Sequence, residues 1–263
     1  MSRLPSLFVV ALPRSLSTLV YEQSCLALVL QQPLWTSGGE VLNVERFAIY
    51  GTGGLGLNYM TTKTYPERFD QTTAFLQHVV QPSGFAYKDV VQPFVMASWL
   101  RCPRAQLAVL KIASPVAHVA SAMLARRWDY PRRAAHFRGD TVSQVIEGLV
   151  RAEQELERIP GESISFEELL ESEHALAYAL SRLYPGADIT IPRYLTPGFI
   201  ERRQQYRARR HCTAYRQIEE RVAEMRALMF DAEGGGGAMS ESVQQPTTCR
   251  NLFTMPGPRR ATW

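Results

Sequence analysis

The sequence predicts an α/β protein with a central parallel sheet flanked by helices. Short apolar runs recur along the chain, and the clearest are residues 7–12 (LFVVAL) and 105–113 (AQLAVLKIA). A segment with helical spacing follows each run, with Pro and Ser at the joint. Uninterrupted apolar strands are typical of sheets that are buried on both faces. Because such strands alternate with helices here, we expect helices on both faces of a parallel sheet.

The N-terminal half contains two predicted strands and three predicted helices. The helix after the first strand has apolar residues on most sides, which indicates that other elements cover it. Pro66 suits the first position of a helix, where a missing N–H group costs nothing. In order, we expect a strand over 7–12, a helix over 15–30, an irregular stretch over 31–64, a helix over 66–80, a strand over 84–90 and a helix over 91–101.

The C-terminal half is richer in helices. Ser114 is a candidate cap with Pro115 at the first helical position, and Asp140 or Thr141 caps the next helix. In order, we expect a strand over 105–113, a helix over 114–127, an amphipathic helix over 141–158, a strand over 162–166, helices over 167–184 and one long charged helix or a pair over 197–230. The composition then becomes rich in Gly, Ser, Gln, Thr and Pro, so we expect one domain over 1–231 and a flexible, disordered tail over 232–263.

Composition limits the classes of function. The 263 residues carry a net charge of +4, which is too diffuse to indicate nucleic-acid binding and fits an anionic small-molecule partner. The four cysteines are far apart, so neither a zinc site nor a disulfide framework is expected, and a reducing compartment is favoured. No signal peptide and no run of about 18 apolar residues is visible. We therefore expect a soluble, cytoplasmic protein with no metal, nucleic-acid or membrane partner, and a homodimer stays open.

The joint after the first strand, Pro13 to Thr18 (PRSLST), has the parts of an anion site. The first N–H groups of a helix lack intrahelical partners and lie at the positive end of the helix dipole, so a phosphate or sulfate can accept several bonds there. Ser15, Ser17 and Thr18 add hydroxyl donors, and Arg14 adds a forked positive charge. The Gly and Lys of a Walker A loop do not occur in this joint. The alternative is an ordinary Ser/Thr-capped helix.

The segment ALPRSLSTLVYE resembles the 5′-phosphosulfate loop of sulfotransferases that use 3′-phosphoadenosine 5′-phosphosulfate (PAPS). The usual form in that family is Pro-Arg-Ser-Gly-Ser/Thr-Thr between a strand and a helix. The resemblance implies a P-loop NTPase-like fold of the sulfotransferase type, and donor binding by Arg14, Ser15, Leu16, Ser17 and Thr18. Leu16 stands where the family has Gly, which we expect to be tolerated if the residue keeps φ below zero.

A second segment, VLKIASPVAHVASAMLARR, resembles the 3′-phosphate site of the same family. Pro115 and Ser121 keep the family's six-residue spacing, which implies that Ser121 contacts the nucleotide. The Arg-Asp that precedes this Pro in the family is replaced by Ala113-Ser114. We therefore expect Lys111, whose side chain shares a sheet face with residue 113, or else Arg126, to supply the missing charge.

Two shorter segments, YKDV (87–90) and ISFEELL (164–170), resemble further strands of the family, so the resemblance spans roughly residues 6 to 185. It implies transfer of a sulfuryl group from PAPS to a hydroxyl or amine of a small-molecule acceptor, without a metal. Glu40, in a family-like Gly-Glu stretch, is then the base. Arg14 stabilises the leaving phosphate, and Lys88 either contacts the sulfuryl oxygens or caps a strand end. The rival bases are His78, His118 and His136.

Other features leave alternatives open. Gly51-x-Gly53-x-x-Gly56 matches a dinucleotide-binding pattern, but no helix starts before Pro66, so a mobile substrate loop is favoured. A basic run either forms a solvated helix face or closes over the nucleotide: Arg202, Arg203, Arg207, Arg209 and Arg210. Aromatic residues of the 31–80 region line the acceptor pocket or belong to the core: Trp35, Phe47, Tyr50, Tyr59, Tyr65 and Phe69. The alternative functions are another nucleotide-dependent transferase or kinase on the same fold, and a non-catalytic binding protein.

Overall fold

The computed structural model describes residues 3–34, 36, 38–42, 66–90, 93–102, 105–172, 174–191 and 197–234. Within these residues, four strands form one parallel sheet in the order β2-β1-β3-β4. The strands are β1 (Leu7–Ala11), β2 (Ala86–Asp89), β3 (Ala108–Ala113) and β4 (Glu162–Ser165). The predicted α/β class with a central parallel sheet is confirmed.

Helices follow the strands and cover the sheet. In chain order they are α1 (Ser17–Leu28), α2 (Pro66–Val79), α3 (Pro93–Leu100), α4 (Val116–Leu124), a 3-10 helix (Tyr130–Ala134), α5 (Thr141–Arg158), α6 (Phe166–Glu171), α7 (Ala175–Leu183), α8 (Pro197–Arg210) and α9 (Thr213–Gly234). The predicted strands and helices are therefore confirmed to within a few residues at each end. The charged segment over 197–230 was predicted to form either one long helix or a pair, and it forms the pair α8 and α9.

The two faces of the sheet pack against different helices. Leu7, Val9 and Ala11 of β1 pack with residues of α1 and α7. Phe8 and Val10 pack with residues of α3, α4, α5 and α9 on the opposite face. Successive side chains of a strand point to opposite faces, so a strand covered on both faces needs an unbroken apolar run.

The site region follows from the order of the strands. Helix α1 leaves the carboxyl end of β1 toward one face, and α4 leaves the carboxyl end of the adjacent β3 toward the other. Two segments that leave neighbouring strands toward opposite faces have a crevice between them, and open α/β sheets bind ligands in such crevices. The joint after β1 and the joint after β3 therefore lie side by side.

The start of α4 differs from its prediction. Pro115 precedes the helix with an extended ψ of 125°, and Ser114 does not cap it. The Ser114 hydroxyl is buried without a hydrogen-bond partner among the described residues. The cap of α5 is confirmed, because the Asp140 carboxylate accepts a bond of 2.7 Å from the Ser143 N–H group.

Helix α5 is fixed to the 3-10 helix by a glycine and a buried carboxylate. A Cβ atom at Gly148 would lie 1.8 Å from a backbone carbonyl oxygen of the 3-10 helix, so no larger residue fits. The adjacent Glu147 is 1% exposed. Its carboxylate accepts bonds from the N–H groups of His136 (2.6 Å) and Phe137 (3.0 Å) and from Arg151 Nε (2.9 Å). Buried carboxylates are stable only with this degree of hydrogen bonding.

Several sequence-based predictions lie outside the described residues. These are the Gly51–Gly56 loop, most of the irregular stretch, the tail beyond residue 234 and the side chains of the six aromatic residues proposed for the acceptor pocket. Helix α9 runs to Gly234, so the predicted domain boundary after residue 231 falls within its last turn.

Candidate active site

A cavity of about 490 Å³ opens at the carboxyl ends of β1 and β2, beside α4. It is bounded by the 13–19 joint, by one side of α4 with the residues after it, and by one side of α8. The lining includes seven residues that the sequence analysis assigned to the site: Arg14, Ser15, Leu16, Ser17, Thr18, Glu40 and Lys88. Two predicted site residues, Lys111 and Ser121, are not in the described lining.

The turn from β1 into α1 has a strained backbone. Arg14 and Leu16 both adopt left-handed conformations, with φ of 66° and 61°. Each such residue costs on the order of 1–2 kcal/mol when it is not glycine, so the surrounding structure must hold the turn in place. Within the described chain, the N–H groups of residues 15–19 donate to no backbone carbonyl, and the first helical bond runs from Val20 to Leu16. A turn with left-handed residues and unbonded N–H groups forms a concave anion-binding surface.

Leu16 does not meet the condition of φ below zero under which a replacement for Gly was expected to be tolerated, and the packing of its side chain offsets the cost. Leu16 packs against the α6–α8 cluster, which consists of Phe166, Leu170, Phe199 and Tyr206. Full burial of a Leu side chain contributes about 1.5–3 kcal/mol, so partial burial offsets a backbone cost of this size. A side chain at this position therefore replaces the conformational freedom of glycine with an apolar contact to the α6–α8 cluster.

Four arginines face the cavity and have no carboxylate partner among the described residues: Arg14, Arg126, Arg202 and Arg209. Burial lowers the pKa of Arg14, and the charges of the other three lower it further. The guanidinium carbons of Arg14 and Arg126 lie 6.0 Å and 5.9 Å from the ring centroid of Trp128. Like charges that converge without counter-charges create a strongly positive potential, which favours an anionic ligand.

Lys88 and Glu40 form an ion pair at one side of the cavity. The Lys88 Nζ atom lies 2.8 Å from Glu40 Oε1, and the Lys88 side chain is 3% exposed. Backbone bonds hold the two segments together, because the Lys88 N–H group donates to the Gly39 carbonyl oxygen at 2.9 Å. A Cβ atom at Gly39 would lie 2.5 Å from the Tyr21 ring, so the glycine lets Glu40 approach β2. The Gly-Gly-Glu stretch thus sets the position of the carboxylate.

The proposed role of Lys111 in nucleotide binding does not agree with its position. Its Nζ atom donates to the Glu157 carbonyl oxygen at 3.3 Å, in the last turn of α5. The negative end of a helix dipole attracts a cation, which accounts for this contact. Ser121 is also outside the described lining of the cavity, to which α4 contributes His118 and Ala122. Arg126 continues this face one turn further, so the second candidate for the missing charge reaches the cavity.

His118 is the described histidine that lines the cavity, whereas His78 and His136 do not. Its ring stacks on Phe166 at 4.5 Å and meets the Tyr206 ring edge-on at 4.9 Å. Its Nδ1 atom is buried without a hydrogen-bond partner among the described residues. Burial lowers the pKa of His118 to about 4, because the charged ring is poorly solvated there. A neutral ring of this kind does not suit the role of a general base near pH 7.

Trp128, Gln205 and Tyr206 line the cavity without having been predicted, and the sequence left open which arginines of the basic run do so. Trp128 follows α4 without any pattern that marks it. The α8 residues Arg202, Gln205, Tyr206 and Arg209 all line the cavity. Their i, i+3, i+4, i+7 spacing places them on one face of the helix, and this spacing was available in the sequence. The basic run is therefore divided between two sides of α8. Arg202 and Arg209 line the cavity, whereas Arg207 on another side pairs with Glu171 at 2.8 Å.

Two further features concern partners. No group of three or more His, Cys, Asp or Glu side chains in the described residues is placed to hold a metal ion. Across the same residues, no helix combines the length and the apolar character needed to cross a membrane.

No family model and no curated protein matches the sequence. The sulfotransferase domain from the curacin biosynthetic pathway matches with a TM-score of 0.43 and 15% identity, over 75% of this chain and 77% of that chain. A likeness of this size carries no argument about chemistry. The fold class is established by the sheet of this chain, and its function must be argued from the residues around the cavity.

Proposed function

We propose that the protein is a sulfotransferase that moves a sulfuryl group from PAPS to a hydroxyl or amine of a small-molecule acceptor. The observation that carries the proposal is the convergence on one cavity of a turn with unbonded N–H groups and four arginines without described carboxylate partners. PAPS has a phosphosulfate at one end and a phosphate at the other, so it requires two sets of donors. The resemblance of the 13–18 joint to the phosphosulfate loop supports the same assignment.

The two ends of the donor are assigned to different residues. The phosphosulfate belongs at the 13–18 turn, where Arg14 and the N–H groups of the first turn of α1 converge. The 3′-phosphate belongs with Arg126, Arg202 and Arg209, which together replace the single family arginine that Ala113-Ser114 lacks. Trp128 contacts Arg14 and Arg126 and offers an aromatic face for the planar base.

Glu40 and Lys88 are the groups placed to act on the acceptor. When bound, PAPS supplies the sulfuryl group: the acceptor oxygen or nitrogen bonds to sulfur as the S–O bond to the 5′-phosphate breaks and adenosine 3′,5′-bisphosphate leaves. Glu40 accepts the proton of the acceptor, since its carboxylate lines the cavity. Lys88, at 2.8 Å from Glu40, holds the carboxylate in place and carries a positive charge for the transferred oxygens.

Calorimetric titration with adenosine 3′,5′-bisphosphate tests the donor assignment. We expect Arg14→Ala to weaken binding by about 10- to 100-fold, because it removes charged hydrogen bonds worth about 1.5–3 kcal/mol. Arg207→Ala is the matched control, since that arginine pairs with Glu171 outside the cavity, and its affinity should stay that of the wild type. A preference for ATP with Mg²⁺ would favour a kinase, and no binding of either nucleotide would favour a non-catalytic protein.

A mass-spectrometric screen for metabolites that gain the mass of SO₃ tests the reaction and identifies the acceptor. With an acceptor in hand, Glu40→Gln should lower turnover by about 100-fold or more, because general base catalysis contributes about 10²–10⁴-fold. The affinity for adenosine 3′,5′-bisphosphate should change little. An unchanged turnover would remove Glu40 from the mechanism.

A further inference from the structure

Two of the four cavity arginines belong to α8, so the position of that helix decides how much positive charge the cavity offers to an anion. Arg202 and Arg209 lie on α8, whereas Arg14 and Arg126 come from the β1–α1 joint and from the residues just after α4. Like charges that converge without a counter-charge repel one another, and here the repulsion pushes α8 away from the rest of the cavity. Contacts outside the arginine cluster must therefore oppose it.

Tyr206 makes such a contact from the cavity side of α8. It lies four residues after Arg202 and three residues before Arg209, so the three side chains share one side of the helix. Tyr206 is 5% exposed. Its ring meets the Phe166 ring of α6 edge-on at 5.0 Å and the His118 ring of α4 edge-on at 4.9 Å. The ring therefore fixes one point of α8 between the two arginines.

The hydroxyl group of the same side chain bonds to α6. Tyr206 Oη donates to Glu167 Oε1 at 2.7 Å. A hydrogen bond to an ionised carboxylate is about twice as strong as one between neutral groups. Glu167 is outside the described lining of the cavity. Its charge therefore ties α8 to α6 without neutralising the arginines that face the ligand.

The ion pair on the outer side of α8 is a different kind of contact. Arg207 bonds to both oxygens of Glu171, at 2.8 Å and 2.9 Å, but the two side chains are 54% and 60% exposed. Water competes for both groups, so a pair of this kind adds little to the stability of the contact. The Arg203 Nη1 atom reaches the Leu170 carbonyl oxygen only at 3.5 Å, which is long for a hydrogen bond. The short bond from the buried tyrosine is therefore the stronger polar link between the helices.

We propose that Tyr206 and Glu167 are positioning residues of the 3′-phosphate site, which hold Arg202 and Arg209 in the cavity against the mutual repulsion of its arginines. The inference rests on the proposed function, because it concerns the arginines that the proposed function assigns to the 3′-phosphate. It gives a hydroxyl and a carboxylate a role in anion binding, although neither group is assigned a contact with the ligand.

Calorimetric titration with adenosine 3′,5′-bisphosphate tests the role of the bond from both of its ends. Tyr206→Phe keeps the ring against its aromatic neighbours and removes the hydroxyl group. Glu167→Ala removes the acceptor from outside the cavity. We expect each variant to bind the bisphosphate about fivefold or more weakly than the wild type, because the bond between a hydroxyl and a charged group is lost. Arg207→Ala is the control, since it breaks the exposed link between the same helices, and it should bind as the wild type does.

The same change in a protein without the α8 arginines separates positioning from a general loss of structure. If Tyr206 acts through Arg202 and Arg209, then Tyr206→Phe should weaken binding in the wild type and have no further effect in the Arg202→Ala/Arg209→Ala protein, because coupled residues are not additive. An equal fold-loss in both backgrounds indicates a structural role and would overturn the inference. An affinity that Tyr206→Phe leaves unchanged in the wild type would overturn it as well.

The outcomes also separate this inference from the proposed function. If the wild type does not bind the bisphosphate, the proposed function fails, and the positioning role fails with it. If the wild type binds and Arg14→Ala weakens binding, but Tyr206→Phe does not, only the positioning role is wrong. Melting temperatures are measured on the same samples. If Tyr206→Phe is unfolded at the assay temperature, Glu167→Ala replaces it in both backgrounds with the same expected pattern.

Discussion

Helices α4 and α5 pack together, yet their buried polar groups differ in whether the fold supplies hydrogen-bond partners. Glu147 of α5 is a buried carboxylate with three hydrogen-bond donors around it. His118 of α4 keeps a buried Nδ1 atom without a described partner, and Arg126 beyond the same helix faces three other arginines across a cavity. The charge of Glu147 is matched by donors within the fold, whereas the arginine charges around the cavity have no carboxylate partner among the described residues.

The difference shows how to separate structural from functional charge in one molecule. A buried charge that serves the fold has its counter-charge and donors within the fold, because an unpaired buried charge is costly. A charge that serves a ligand remains unmatched until the ligand arrives, and clustered like charges then destabilise the unliganded protein. Substitutions in the two regions should therefore have opposite effects on stability and on binding.

The largest effect is expected at Glu147. Glu147→Ala leaves two N–H groups and the Arg151 guanidinium without their acceptor, and breaking a buried pair of this kind costs about 3–5 kcal/mol. Urea unfolding should show this loss in the free energy of unfolding. Adenosine 3′,5′-bisphosphate affinity should stay unchanged at temperatures where the variant is folded.

Glu155→Ala, on the same helix, is the control for Glu147. Glu155 pairs with the exposed Arg158, and pairs at the surface contribute about 0–1 kcal/mol. If both variants lost equal stability, the contrast between a completed buried carboxylate and a surface pair would be wrong.

An intermediate effect of opposite kind is expected at the α8 arginines. Arg202→Ala and Arg209→Ala should each weaken adenosine 3′,5′-bisphosphate binding by about 10-fold, equivalent to about 1.4 kcal/mol. The melting temperature without ligand should rise slightly or stay the same, because one member of a repelling cluster is removed. Calorimetric titration and thermal unfolding of the same samples give both quantities.

Arg210→Ala tests whether position on α8 matters or only its total charge. Arg210 does not line the cavity and lies over the Tyr206 ring, with its guanidinium carbon 5.7 Å from the ring centroid. We expect its affinity to remain within about twofold of the wild type at moderate salt, where distant exposed charges are screened. A tenfold loss here would mean that α8 acts through its overall charge.

The sequence was sufficient for the parts of the molecule that depend on local pattern. The buried runs gave the strands of the sheet, and the PRSLST joint, Glu40 and Lys88 do meet at one cavity. It was not sufficient for Lys111, because strand alternation fixes a sheet face but not whether a lysine turns to a cavity or to a helix end. It also could not show that Leu16 packs against the α6–α8 cluster, whose residues lie 150 or more positions further along the chain.

The smallest effect is expected at Asp140, a surface carboxylate whose hydrogen-bond partners, like those of Glu147, are supplied by the fold. The Ser143 N–H bond first, and the Arg221 guanidinium second, lower the pKa of Asp140 to about 2. A lowered folded-state pKa adds stability above the unfolded value of about 3.9, and this stability is lost as pH falls through about 2. Asp140→Asn keeps a capping oxygen but removes the charge, so at pH 7 it should cost less than about 1 kcal/mol for an exposed pair.

Urea unfolding at pH 7 and pH 3 measures the free energy of unfolding of the variant and of the wild type. The difference between them should shrink at the lower pH, with Glu224→Gln on the exposed face of α9 as the control. A difference that grows toward pH 3 would mean that the carboxylate destabilises the fold, and that α5 is capped for another reason.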